Sequence, residues 1–71
     1  MTDSKLLSDE ISNSGMTVTF IAQKIGITRE GFYKKLNNST EFKASEIIAL
    51  QSILRLSNNR RDEIFFANKV E

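Results

Sequence analysis

Apolar residues recur along this chain at helical spacing, in five short runs parted by polar turns. Leu7 and Ile11 stand four apart with Leu6 beside them, and predict a first helix over about Ser4–Asn13, ended by Ser14 and Gly15. Ile21, Ala22 and Ile25 share one face of a second helix, Val18–Ile25. Thr17 stands before it as a cap for an orphan backbone N–H, and Gly26 follows where a left-handed residue ends a helix without a Cβ penalty. Ile27 is apolar, Thr28 is a second cap, and Phe32 and Leu36 mark the inner face of a third helix, Arg29–Asn37. Asn37-Asn38-Ser39-Thr40 is the clearest loop, and Phe42 is expected to anchor its far side in the core. Ile47, Leu50 and Leu54 define a fourth helix, Ala44–Leu54, flanked by Ile48 and Ile53 and expected to be the most buried. Ser57 caps a fifth, Asn58–Phe66, with Ile64 and Phe65 inward. One core should join Ile21, Ile25, Phe32, Leu36, Ile47 and Leu50.

Composition narrows the chemistry. Seventy-one residues suit a single small domain, residues 1–71, which buries only about 60% of its unfolded surface. There is no Pro and little Gly, which favours an all-α fold over a sheet. Without Cys or His the commonest general base and the commonest metal ligands are missing, so no metal or cofactor is expected. Asp9–Glu10 and Asp62–Glu63 are sequence neighbours, pointing about 100° apart on a helix, so neither pair converges on a substrate. An enzyme is not expected. No apolar run approaches the ~18 residues that cross a membrane, and MTDSKLLSDE has no signal-peptide character. A soluble cytoplasmic protein is the expectation.

The formal net charge is only +1, but it is unevenly spread. Residues 1–16 set Lys5 against Asp3, Asp9 and Glu10. Residues 17–43 set Lys24, Arg29, Lys34, Lys35 and Lys43 against Glu30 and Glu41. Residues 44–71 balance. The cationic excess thus falls on the second and third predicted helices, which a short Gly-containing turn joins. That is the pattern of a helix-turn-helix, whose second helix normally lies in the major groove of DNA. Local field rather than net charge draws a phosphate backbone.

GMTVTFIAQKIGITREGFYKKLNN resembles the XRE-type (Cro/repressor) helix-turn-helix family of temperate phages, with its Gly-apolar-Thr, apolar-Ala and Gly-apolar-Thr pattern. FYKKLN, EFKASEI and IFFANKVE extend the likeness to small Cro-like regulators of phages and prophages of Gram-positive hosts, over about residues 5–71. The resemblance implies a five-helix, lambda-repressor-like DNA-binding domain acting as a dimer on a two-fold-related operator. Three positions depart from it. Val18 stands where many relatives carry a Gln that braces the recognition helix and touches a phosphate; Val does neither. Arg55 stands where a Gly often ends the fourth helix. Gly31 lies inside the recognition helix, at a cost of about 0.5–1 kcal/mol relative to Ala.

Arg29 and Glu30 open the third helix, where side chains reach base edges; Arg matches guanine O6/N7 and Glu accepts from cytosine N4. A solvated first turn, with Glu30 facing the helix dipole, is the plainer account. Tyr33 and Lys34, one turn on, are candidates for a thymine methyl, a base or a phosphate. Lys35, Lys43 and, more weakly, Lys24 are phosphate candidates. Asn37, Asn38, Ser39 and Thr40 have the composition of a phosphate-gripping loop and equally of an ordinary turn. Thr17 and Thr28, at helix N-termini, are phosphate candidates as well as caps. Phe65 and Phe66 are adjacent and cannot both face one pocket, so one of them, with Val70, is expected at a partner surface.

Two functions compete at this stage. One is a Cro-like transcriptional repressor binding double-stranded operator DNA as a homodimer. The other is a protein-interaction module that binds a second phage repressor and modulates its DNA occupancy. Weak net charge and Val18 favour the second; the basic third helix favours the first.

Overall fold

The computed structural model describes residues 1–66, and these fold into five helices with no strand among them. In order they are α1 (Ser4–Ser14), α2 (Val18–Ile25), α3 (Arg29–Leu36), α4 (Ala44–Leu54) and α5 (Asn58–Phe65). The all-α, five-helix architecture expected from the apolar spacing is therefore present. Val70 and the rest of the expected tail surface lie outside the described residues.

Each helix starts where a side chain or a reciprocal bond satisfies its first N–H groups. Asp3, Thr17, Thr28 and Ser57 accept from the backbone N–H three residues on, in α1, α2, α3 and α5. Lys43 has no acceptor to offer α4; there Glu46 Oε1 accepts from the Lys43 N–H at 2.8 Å. Gly15 and Gly26 end α1 and α2 in the left-handed region. Arg55 does the same for α4 at φ 57°, although it carries a Cβ. α3 and α5 end one residue earlier than the apolar pattern predicts, at Leu36 and Phe65.

α2 packs on α3 and α4, while α1 packs on α4 and α5. The core takes Leu7 and Ile11 from α1, Ile21 and Ala22 from α2, Phe32 and Leu36 from α3, Ile47 and Leu50 from α4, and Ile64 and Phe65 from α5. Phe42 enters this core from the α3–α4 loop, as expected, edge-on to Phe32 at 5.6 Å and to Phe65 at 5.5 Å. Such pairs contribute about 0.5–1.5 kcal/mol each beyond the area they bury. Ile25 is half-buried, packed against this cluster rather than inside it.

α4 buries Glu46, Ile47 and Leu50, more residues than any other helix, as its apolar sequence predicts. Ile48, on its flank, is 65% exposed.

α5 is tied back by charge. Arg60 pairs with Glu10 of α1 at 2.7 Å and with Glu63 at 2.9 Å, and these carboxylates raise the guanidinium pKa above its ordinary value. Arg61 donates to Gln51 Oε1 at 3.1 Å and pairs with Asp62 at 2.8 Å. Gln51 in turn donates to the Leu56 carbonyl and to Asn58, which closes the turn after Arg55.

Candidate nucleic-acid interface

α2 and α3 are joined by Gly26, Ile27 and Thr28 alone. The Ile27 N–H donates to the Ala22 carbonyl at 3.0 Å and the Gly26 N–H to that of Gln23 at 3.2 Å, so the turn closes on the last turn of α2. Thr28 then swings the chain into α3 and accepts from the Gly31 N–H at 2.9 Å. Phe32 and Leu36 bury the inner side of α3, which leaves Arg29, Glu30, Tyr33, Lys34 and Asn37 exposed. The outer side of α3 is thus a polar, mainly cationic surface on a rigid two-helix support.

Within that surface the Arg29 guanidinium lies over the Tyr33 ring, 5.4 Å from its centre. The pair is one helical turn apart, and a cation over an aromatic face gains about 0.5–1 kcal/mol at an exposed site. Tyr33 also lines a shallow cleft of about 170 Å³ with Ser8, Ile11, Ser12, Val18 and Leu36. On α2, Lys24 sits 5.7 Å from the centre of the exposed Phe20 ring.

The ion pairs leave most of the free cations in one region. Outside residues 17–43, Lys5, Arg60 and Arg61 pair with carboxylates, and Arg55 forms no ion pair among the described residues. Lys24, Arg29, Lys34 and Lys43, inside it, form no ion pair among the described residues. Lys35 is the exception in this region, and its position corrects the expectation that it reaches phosphate. Its ammonium lies 3.2 Å from Glu46 Oε1 and donates to the Glu41 carbonyl at 3.0 Å, and its side chain is only 14% exposed. A lysine so committed would have to break a nearly buried pair to reach a solvated anion.

Asn38 is the second correction. It sits in the left-handed region at φ 67°. Its Oδ1 accepts from the Thr2 N–H at 2.9 Å and its Nδ2 donates to the Thr2 carbonyl at 3.0 Å. Ser4 Oγ donates to the Leu36 carbonyl beside it, and the Asp3 N–H donates to the Ile64 carbonyl at 2.7 Å. The Asn38 Nδ2 also donates to Ser4 Oγ at 3.4 Å, so the side chain clasps the N-terminus to the α3–α4 loop with its amide engaged there rather than offered to phosphate. Asn37, Ser39, Thr40 and Lys43 remain exposed around it, on a loop fixed at both ends.

Thr17 and Thr28 serve as caps in the structure, with their hydroxyl oxygens engaged by Phe20 and Gly31 N–H groups. Gly31 also acquires a local reason. A Cβ there would stand 3.1 Å from Thr28 Oγ1, crowding the oxygen that caps α3. Phe65, the last residue of α5, is buried and Phe66, just past the helix end, is 41% exposed, so the two rings do not share one pocket.

Comparison with protein-family models, with curated proteins and with solved structures finds no match for this chain.

Sequence reasoning missed the Lys35–Glu46 pair, the Asn38 clasp and the Val18–Tyr33 cleft. A signal for the first was present: Lys35 lies three residues after Phe32, on the flank of the buried stripe. Asn just past a helix end is likewise a frequent left-handed residue. The groups that Lys35 and Asn38 bond come from other elements, so spacing within α3 does not reveal them. Among the described residues no His, Cys, Asp or Glu cluster suited to a metal occurs, and no helix is long and apolar enough to cross a membrane.

Proposed function

We propose that this protein is a sequence-specific DNA-binding regulator, a Cro-like repressor that reads an operator through the outer face of α3. The supporting observation is the distribution of its cations: those on α1 and α5 pair with carboxylates, and of the five that form no ion pair among the described residues four, Lys24, Arg29, Lys34 and Lys43, fall in residues 17–43, with Arg55 the fifth. In this reading Arg29, Glu30, Tyr33 and Lys34 face base edges in the major groove. Lys43, Ser39, Thr40, Asn37 and the N-terminal turns at Thr17 and Thr28 face the flanking phosphates. The protein performs no catalysis and takes no cofactor or metal. It acts as a homodimer, because one domain of this size offers too little contact for specific affinity and two half-sites double it.

A gel shift of the pure protein on DNA flanking its own gene tests this. A discrete complex that survives competition by random DNA supports it; no complex at low salt refutes it.

A second reading is favoured by one observation. Ile48 is the most exposed large apolar side chain among the described residues, and with Ala44, Ile47, Arg61 and Phe66 it lines an apolar groove across α4 and α5. This surface lies apart from α3, and it suits a protein partner: a second copy in the homodimer, or another phage repressor whose DNA occupancy this protein modulates. Mixing the protein with such a repressor on operator DNA separates the two, since a modulator changes the repressor's affinity without binding DNA alone.

A further inference from the structure

Tyr33, Arg29 and Val18 carry an inference that rests on the regulator reading and names the DNA step it recognises. We infer that Arg29 and Tyr33 act as one stacked unit that reads a guanine together with the C5 methyl of a thymine in the neighbouring base pair, and that Val18 positions the unit.

The geometry supplies three constraints. First, the guanidinium of Arg29 lies over the Tyr33 ring, 5.4 Å from its centre, so the ring flanks the cation on one side. A guanidinium that bonds guanine O6 and N7 through its fork of N–H donors lies in the plane of the base. Second, successive bases are 3.4 Å apart along a strand, so whatever covers a face of that guanidinium sits at the level of the next base pair. The Tyr33 ring then meets the major-groove edge of that pair. An aromatic ring has no use for a bare donor or acceptor there, but it packs well on the thymine methyl, the apolar group of the groove. Third, Tyr33 lines a cleft with Val18 and Leu36, while 37% of the residue remains exposed for a partner.

Val18 thereby gains a role at the start of α2. Val18 adds an apolar wall beside Ile11 and Leu36 to a cleft that Ser8 and Ser12 line on its polar side, whereas an amide at that position would add a further polar group that must stay hydrated. Val18 is a positioning residue; it touches no base.

The experiment begins by selecting duplexes from random DNA with the purified full-length protein. The enriched sequences should contain a guanine next to a thymine–adenine pair. Replacing that thymine by deoxyuridine removes only the methyl group and should weaken binding about four-fold, the worth of one buried methyl. Tyr33→Ala should bind thymine and deoxyuridine duplexes alike, and Tyr33→Phe should keep the discrimination. Val18→Gln should shrink the thymine preference, leaving the contribution of phosphate contacts, read from the salt dependence, unchanged. Equal affinity of the wild-type protein for the two duplexes overturns the inference, as does a Tyr33→Ala protein that still prefers thymine. Failure to enrich any sequence overturns the regulator reading itself, and the inference falls with it.

Discussion

Lys35 and Glu46 form a nearly buried ion pair, 3.2 Å apart, that joins the end of α3 to the start of α4. The same Glu46 oxygen accepts from the Lys43 N–H, and Lys35 also holds the Glu41 carbonyl. One carboxylate thus fixes both the exit of the α3–α4 loop and the first turn of α4. Removing one partner leaves the other buried without a counter-charge, which costs far more than the pair's net worth.

Lys35→Met should therefore destabilise the fold by about 2–4 kcal/mol. Lys35→Met with Glu46→Gln should recover much of that loss, because Gln keeps an acceptor for the Lys43 N–H and carries no charge. Urea unfolding of the two variants measures the difference. A double variant no more stable than the single one would show that charge is not what the pair contributes.

Asn38 offers a separate test of the loop's anchoring. Asn38→Gly keeps the left-handed backbone but loses both bonds to Thr2, so it should cost about 1–3 kcal/mol. Asn38→Ala loses the same bonds and adds left-handed strain of about 1 kcal/mol, making it the weaker of the two. Thermal melts that rank Ala above Gly would contradict this account of the position.

Arg55 holds a left-handed conformation without making an ion pair among the described residues. Arg55→Gly should stabilise the protein by about 0.5–1 kcal/mol, the relief of strain being partly offset by the greater freedom of Gly in the unfolded chain. A raised urea midpoint at constant slope is the expected result, and a lowered midpoint would mean that the Arg55 side chain matters to the fold.

These cases mark where sequence reading reached and where it stopped. The caps Thr17, Thr28 and Ser57 and the terminator Gly26 act within a few residues of themselves, so their roles were legible from local order. The i, i+4 pairs Leu7/Ile11 and Phe32/Leu36 likewise declared their inner faces. Lys35 was misread because its partner is eleven residues away, across a loop whose path no periodicity describes. Asn38 was misread because its partner is Thr2, 36 residues back. Ile48, expected only to flank the inner face of α4, is 65% exposed, a degree that spacing along one helix does not reveal.

The apolar groove yields a prediction for assembly. Ile48→Ser and Phe66→Ser together should lower self-association in sedimentation experiments and weaken operator binding in parallel, with helicity by circular dichroism nearly unchanged. Unaltered self-association would move the dimer surface elsewhere. Loss of binding to a second repressor, with self-association intact, would favour the modulator.

The central claim is that the outer face of α3 and its flanking loop form a DNA-reading surface, and a salt titration tests it most directly. Affinity for a selected duplex and for a scrambled one should be measured from about 50 to 200 mM salt, with wild-type, Arg29→Ala, Lys43→Ala and Lys35→Met proteins. The account predicts that Arg29→Ala loses about 1–3 kcal/mol on the selected duplex only. It predicts that Lys43→Ala weakens both duplexes and flattens the salt slope by about 1, whereas Lys35→Met leaves the slope as it was. Equal binding of both duplexes by the wild-type protein, or no binding at the lowest salt, would contradict it.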